Sequence, residues 1–185
     1  TRDPFFLVGR EARSDFKCDF KLAELMDKRV ATVSEVPTPW LCLQEDIADK
    51  VLHMLQGAMA ELTLGDPGKI ETDIGPVIDQ AARDGLLAHI EANRARVLHQ
   101  LPLPAGAEHG TFVPPTVIRL DRVEDLTKEV FGPVLHVATW KAGQLEQLVE
   151  RINSSGFGLT MGLHSRIGEA ADTVRATAKV GNLYV

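Results

Sequence analysis

The sequence predicts an α/β fold built on a parallel sheet, and three observations lead there. Short apolar runs of strand length recur from Trp40 onward. Between them lie longer stretches whose apolar residues repeat at helical spacing. Strands separated by helices of this length need crossover connections, which imply parallel pairing.

Trp40-Leu41-Cys42-Leu43-Gln44 is a short apolar run, the pattern of a buried strand. Glu45 and Asp46 follow, acidic residues suited to the positive end of a helix. That helix carries Ile47, Val51, Leu55, Ala58 and Leu62 down one face, and it ends in the turn-forming cluster Leu64-Gly65-Asp66-Pro67-Gly68. A second helix is expected from Gln80 to Arg96, with Leu86, Leu87 and Ile90 inward. Val97-Leu98-His99 suits a short strand before a proline-rich loop from Leu101 to Gly110. Phe112-Val113 and Thr116-Val117-Ile118 flank Pro114-Pro115, so the strand there is interrupted or lies on an edge. Val134 to Trp140 reads as a strand, and Gln144 to Asn153 as a helix with Leu145, Leu148, Val149 and Ile152 on one face. Leu159 to Ser165 is a further strand. Ile167, Ala170, Ala171, Val174 and Ala178 line another helix, and Gly181 to Val185 reads as one more strand.

Residues 1–39 differ and are expected to be a leader and linker ahead of the main region, 40–185. Within them Phe16, Phe20, Leu22, Leu25 and Met26 suit a short helix, Val30 to Val33 a short strand, and Pro37-Thr38-Pro39 a rigid joint.

Composition narrows the function classes. A chain of 185 residues with 44% hydrophobic residues can bury a core as a single domain. A net charge of −6 argues against nucleic-acid binding, which relies on clustered Lys and Arg. No stretch approaches the roughly 20 apolar residues of a membrane helix, and the apolar run within Thr1 to Val8 is too short for a signal peptide. Cys18 and Cys42 are too few for a disulfide framework and fit a reducing compartment, so the expected location is cytoplasmic.

Several motifs have bland explanations. Gly156-Phe157-Gly158-Leu159-Thr160-Met161-Gly162 follows a helix and leads into a strand, the reverse of a phosphate-cradling loop, so it reads as a helix-to-strand turn. His53, His89, His99, His109, His136 and His164 show no pair at metal-ligand spacing, and no metal site is expected. Ser154-Ser155 sits in a turn without an evident base, and Asp73, Asp79 and Asp84 read as solvated or helix-capping carboxylates.

The most informative segment is Lys128-Glu129-Val130-Phe131-Gly132-Pro133-Val134. Glu129 to Val134 resembles the Glu-x-Phe-Gly-Pro signature of the aldehyde dehydrogenase superfamily. Further blocks occur in that family's order: Ile74-Gly75-Pro76-Val77-Ile78, Pro114-Pro115-Thr116-Val117, Asn153 through Ser165, and Val180-Gly181-Asn182-Leu183-Tyr184-Val185. The wording of Leu41 to Asp49, Thr72 to Asp79 and Gly181 to Val185 is similar to the dehydrogenase half of bacterial proline utilization A proteins. That branch oxidises glutamate semialdehyde, the open form of 1-pyrroline-5-carboxylate, to glutamate with NAD.

The resemblance implies the parallel-sheet catalytic lobe of the aldehyde dehydrogenase fold, without its nucleotide-binding lobe. It assigns Glu129 to the ribose hydroxyls of the nicotinamide half of NAD, and Phe131 to an apolar wall against the same ring system. It also implies a cysteine nucleophile, which in this branch's pattern falls at Glu35, where a carboxylate cannot attack an aldehyde as a thiolate does. Cys42 belongs to the strand pattern and reads as a packing residue; Cys18 lies in the leader. No catalytic residue is therefore assigned. Neither the family's general-base glutamate nor the loop that holds the substrate carboxylate is found here.

Two functions follow. One is part of a glutamate semialdehyde dehydrogenase, inactive as this chain. The other is a non-catalytic domain that packs against an active partner. The first is preferred because a purely structural domain has no use for Glu129 and Phe131. The expected partners are a nucleotide-binding lobe or an active dehydrogenase subunit, with self-association covering apolar surface.

Overall fold

In the computed structural model, which describes residues 4–8 and 40–185, the apolar run from Trp40 to Gln44 becomes the middle strand of a 7-stranded sheet. The strands are β1 (Pro4–Val8), β2 (Trp40–Gln44), β3 (Val97–Gln100), β4 (Thr116–Leu120), β5 (Val134–Trp140), β6 (Thr160–His164) and β7 (Asn182–Tyr184). Their spatial order is β3-β4-β5-β2-β1-β6-β7. All neighbours pair in parallel except β3, which runs antiparallel to β4. The helices are α1 (Glu45–Ala60), α2 (Gln80–Ala92), α3 (Leu145–Ser154) and α4 (Gly168–Thr177).

Helices cover both faces of the sheet, and the alternation of side chains along each strand decides which layer a residue joins. Trp40 and Cys42 of β2, Ile118 of β4 and Ala138 of β5 face a cluster closed by Leu86 and Ile90 of α2, Leu148 and Ile152 of α3, and Val174 of α4. Leu41 and Leu43, Val117, and Leu135 and Val137 face the opposite way, onto Leu55 and Met59 of α1. Each fully buried aliphatic side chain contributes about 1.5–3 kcal/mol. Among the described residues, no helix is long and apolar enough to cross a membrane.

Three expectations change. The second helix stops at Ala92 rather than Arg96: Asn93 leaves helical geometry (φ −108°, ψ 17°), its Nδ2 donates to the His89 carbonyl at 2.9 Å, and Arg94–Arg96 tighten into a 3₁₀ turn. Phe112-Val113 joins no strand, because the ladder begins only after the two prolines, where Thr116 N donates to the Pro133 carbonyl. Nor is β4 an edge strand, since it lies between β3 and β5. Pro4–Val8, to which the sequence reading assigned no element, is inserted between β2 and β6 and pairs in parallel with both. The expected helix at Phe16 to Met26, the strand at Val30 to Val33 and the Pro37-Thr38-Pro39 joint lie outside the described residues.

The glycine-rich segment forms the turn from α3 into β6. Gly156 adopts φ +82°, and Gly181 N donates to the Gly158 carbonyl at 2.9 Å. A Cβ at Gly158 would lie 2.7 Å from the Lys179 carbonyl oxygen, so the two backbones approach as only glycine allows. Gly158→Ala is expected to lower stability by about 1–3 kcal/mol in urea unfolding; an unchanged midpoint would show that this approach is not needed.

Candidate functional site

Because β2, β5 and β6 are parallel, the segments leading into them meet at one edge of the sheet. β2 and β5 are neighbours, with Trp40 paired to His136. Phe157, which precedes β6, sets its ring edge against Trp40 at a centroid distance of 5.3 Å. The segment Lys128 to Pro133 leads into β5 at this same edge.

Within it burial alternates. Val130 is buried in the cluster that holds Leu86 and Ile90, whereas Glu129 and Phe131 on either side are half-exposed. Phe131 packs into neither core cluster. The Glu129 carboxylate has no hydrogen-bond or ion-pair partner among the described residues. The loop thus offers a hydrogen-bond-accepting carboxylate and, two positions on, a half-exposed aromatic ring. Gly132 then turns at φ +146°, and an added Cβ would lie 2.6 Å from Leu86 Cδ1. Helix α2 therefore rests directly on the backbone of this loop.

Side chains remote in sequence hold the root of the loop. The Val123–Asp125 turn is gripped by Arg151 of α3, whose Nε and Nη2 donate to the two Glu124 carboxylate oxygens, each at 2.7 Å. That hydrogen-bonded guanidinium holds the Glu124 carboxyl down at about 2. Arg96 reaches Asp121 at 3.1 Å from the other side. Such partly exposed pairs contribute at most about 1 kcal/mol each.

Sequence spacing missed a further pair. His89 of α2 and His136 of β5, separated by 47 positions, place their Nε2 atoms 2.9 Å apart. Burial first, and then the neighbouring His89, push the His136 imidazole down to about 3. His89 is lowered by burial and by Lys128.

The other candidates serve the fold. Cys42 is 1% exposed, and burial pushes its thiol up to about 12, leaving little of the thiolate that nucleophilic attack requires. Asp79 caps α2 by accepting from Ala82 N, Asp84 accepts from Gln80 Nε2, and Asp73 accepts from Thr63 N. The Ser154 and Ser155 hydroxyls donate to the Arg151 and Ile152 carbonyls. Among the described residues, no three metal-ligating side chains converge. Glu35 and Cys18 lie outside the described residues. An open cleft of about 480 Å³, lined by Gln44, Trp140 and Leu163 among others, lies at the opposite edge of the sheet from Glu129 and Phe131.

The fold and this loop define a class. The aldehyde dehydrogenase family profile matches residues 37–185, and the chain belongs to that family. The chain is 53% identical over 152 residues to the bifunctional protein PutA of Klebsiella aerogenes, covering 78% of this chain and 12% of that protein. It is 33% identical over 151 residues to a 1-pyrroline-5-carboxylate dehydrogenase of Bacillus cereus (strain AH187), covering 77% of this chain and 28% of that enzyme. The crystal structure of a proline utilization A mutant from Bradyrhizobium japonicum superposes with a TM-score of 0.86 at 34% identity, covering 98% of this chain and 18% of that one. A Thermus 1-pyrroline-5-carboxylate dehydrogenase with bound NAD superposes at 0.74 with 25% identity, covering all (100%) of this chain and 35% of that one. The chain thus spans a small part of each relative's length, and its fold is a partial aldehyde dehydrogenase fold.

The buried histidine sets an acid limit. His136 is lowered in the folded state, so the unfolded chain binds more protons, and stability falls as pH drops below 6.5 toward about 3. Between these limits the urea midpoint is expected to decline with pH, and to decline less in His136→Met. Equal slopes would remove His136 as the cause.

Proposed function

We propose that this chain is part of the catalytic lobe of an NAD-dependent L-glutamate γ-semialdehyde (1-pyrroline-5-carboxylate) dehydrogenase of proline catabolism, and that it is inactive as this chain alone. The observation that carries the reading is a half-buried Glu129 carboxylate, unengaged among the described residues, two positions from the half-exposed Phe131 ring, both outside the core and separated by the inward Val130. It is supported by similarity to PutA and 1-pyrroline-5-carboxylate dehydrogenases at 53% and 33% identity. In this reading Glu129 accepts hydrogen bonds from the ribose hydroxyls, and Phe131 forms an apolar wall that limits how the nicotinamide ring lies. NAD, when bound, takes up the hydride that leaves the aldehyde carbon. Gly132 and Pro133 fix the spacing of the loop from β5.

The nucleophile is the missing element. Glu35 stands where this branch carries its cysteine, and the buried, protonated Cys42 cannot replace it. Turnover therefore needs groups supplied by other polypeptide, either a nucleotide-binding lobe with its cysteine block or an active dehydrogenase subunit. Residues 1–39 are the leader and linker in this reading, residues 40–185 the catalytic-lobe region, and the location is cytoplasmic. Self-association would cover apolar side chains such as Ile78 and Tyr184, which are 61% and 66% exposed.

Replacing the matching segment of the Klebsiella aerogenes protein with residues 40–185 gives the test. The chimera is expected to reduce NAD with glutamate semialdehyde, and Glu129→Gln within it to raise the KM for NAD about 10- to 100-fold, the loss of one charge-assisted hydrogen bond. A folded but inactive chimera would favour a purely packing domain instead. Purified as it stands, the chain is expected to form no NADH from glutamate semialdehyde; sustained production would overturn the proposed inactivity.

A further inference from the structure

We propose that His89 and His136 are positioning residues: a neutral imidazole pair of fixed tautomer that latches α2 to β5 and so holds the Glu129 to Pro133 loop in place. The inference concerns the loop's own order and does not depend on which ligand the loop binds.

The geometry fixes the proton. Two Nε2 atoms 2.9 Å apart hydrogen-bond only if one carries hydrogen and the other presents a lone pair. Among the described residues, His136 Nδ1 is buried without a partner. A proton on that atom would leave an orphaned donor inside the core, which is rarer in folded proteins than an unpaired acceptor. His136 therefore carries its proton on Nε2 and donates, and His89 Nε2 accepts. His89 is only half-buried, so its own Nδ1–H lies on the ring that is nearer water.

The pair bears on the loop through short links. His136 follows Pro133 by three positions, near the start of β5. His89 lies on α2 between Leu86 and Ile90, both packed in the cluster that buries Val130. Leu86 in turn covers Gly132. The two rings meet edge to face, with centroids 5.1 Å apart, so the contact also keeps the helix at a set height over the strand. Releasing α2 from β5 would lift Leu86 from Gly132 and free the loop carrying Glu129 and Phe131.

Such a latch opens in acid. Protonated His89 presents a donor to a donor. The bond then survives only if the His136 proton moves to Nδ1, where no acceptor waits among the described residues. Among the described residues, the charges acting on the pair are Lys128 on His89 and His89 on His136, and both oppose protonation.

Hydrogen exchange of the full chain, corrected for intrinsic rates, tests the latch at about pH 7.5 and about pH 5.5. In the unmodified chain, amides of 80–92 and 126–133 are expected to lose about tenfold in protection at the lower pH, the worth of one net hydrogen bond. His89→Gln offers an acceptor that cannot be protonated there, and it should lose clearly less protection at the lower pH than the unmodified chain, the remainder being the titration of His136 itself. His89→Ala should lack that protection at both, while 168–177 in α4 stays protected and reports that the fold is intact. Should His89→Ala unfold altogether, the comparison of His89→Gln with the unmodified chain still decides. The proposal is overturned if the unmodified chain shows no loss, if His89→Gln follows the same pH course, or if ¹⁵N imidazole spectra put the His136 proton on Nδ1.

Discussion

A parallel strand with helices on both sides has nowhere to show a polar side chain, and β2 is that strand here. All of Trp40 to Gln44 is withdrawn from water. Its backbone is paired to β5 on one side and β1 on the other, and its side chains alternate between two separate helix layers. The rest of the domain follows from this burial. Both faces need helices, the helices need crossover connections, and the crossovers bring the segments leading into the strands to one edge.

That edge is where the chemistry of the family loop can exist. The segment before β5 must bury Val130 to stay attached, and burying it turns Glu129 and Phe131 out of the core. Backbone strain at Gly132, which only glycine tolerates at φ +146°, lets Leu86 settle onto the turn. The double Arg151–Glu124 hydrogen bond and the His89–His136 contact tie the same region to α3 and α2. The burial that makes β2 a core strand also disqualifies Cys42 as a nucleophile, because its thiol has no solvent or cationic partner strong enough to favour the thiolate. Cys42, the described cysteine, is thus a packing residue of the same strand that organises the sheet.

The segment spans 12% of a PutA chain and 28% of a 1-pyrroline-5-carboxylate dehydrogenase. In the proposed reading, an edge that presents one carboxylate and one ring supplies half of a cofactor contact. In that reading the facing groups belong to polypeptide beyond this lobe, which orients a ligand rather than transforming it.

Much of this was legible in the residues. Trp40–Gln44 and Val134–Trp140 could be read to the residue because burial on both faces writes a mostly apolar run, and α1, α3 and α4 because a helix buried on one side writes a 3.6-residue repeat. The Glu129 to Pro133 loop was legible as a motif. Tertiary structure alone decided the place of Pro4–Val8, the end of α2 at Asn93, the interior position of β4 and the meeting of His89 with His136. Each of these depends on partners far away in the chain. Periodicity records how one segment meets an apolar surface, but it carries no label for which distant segment supplies that surface.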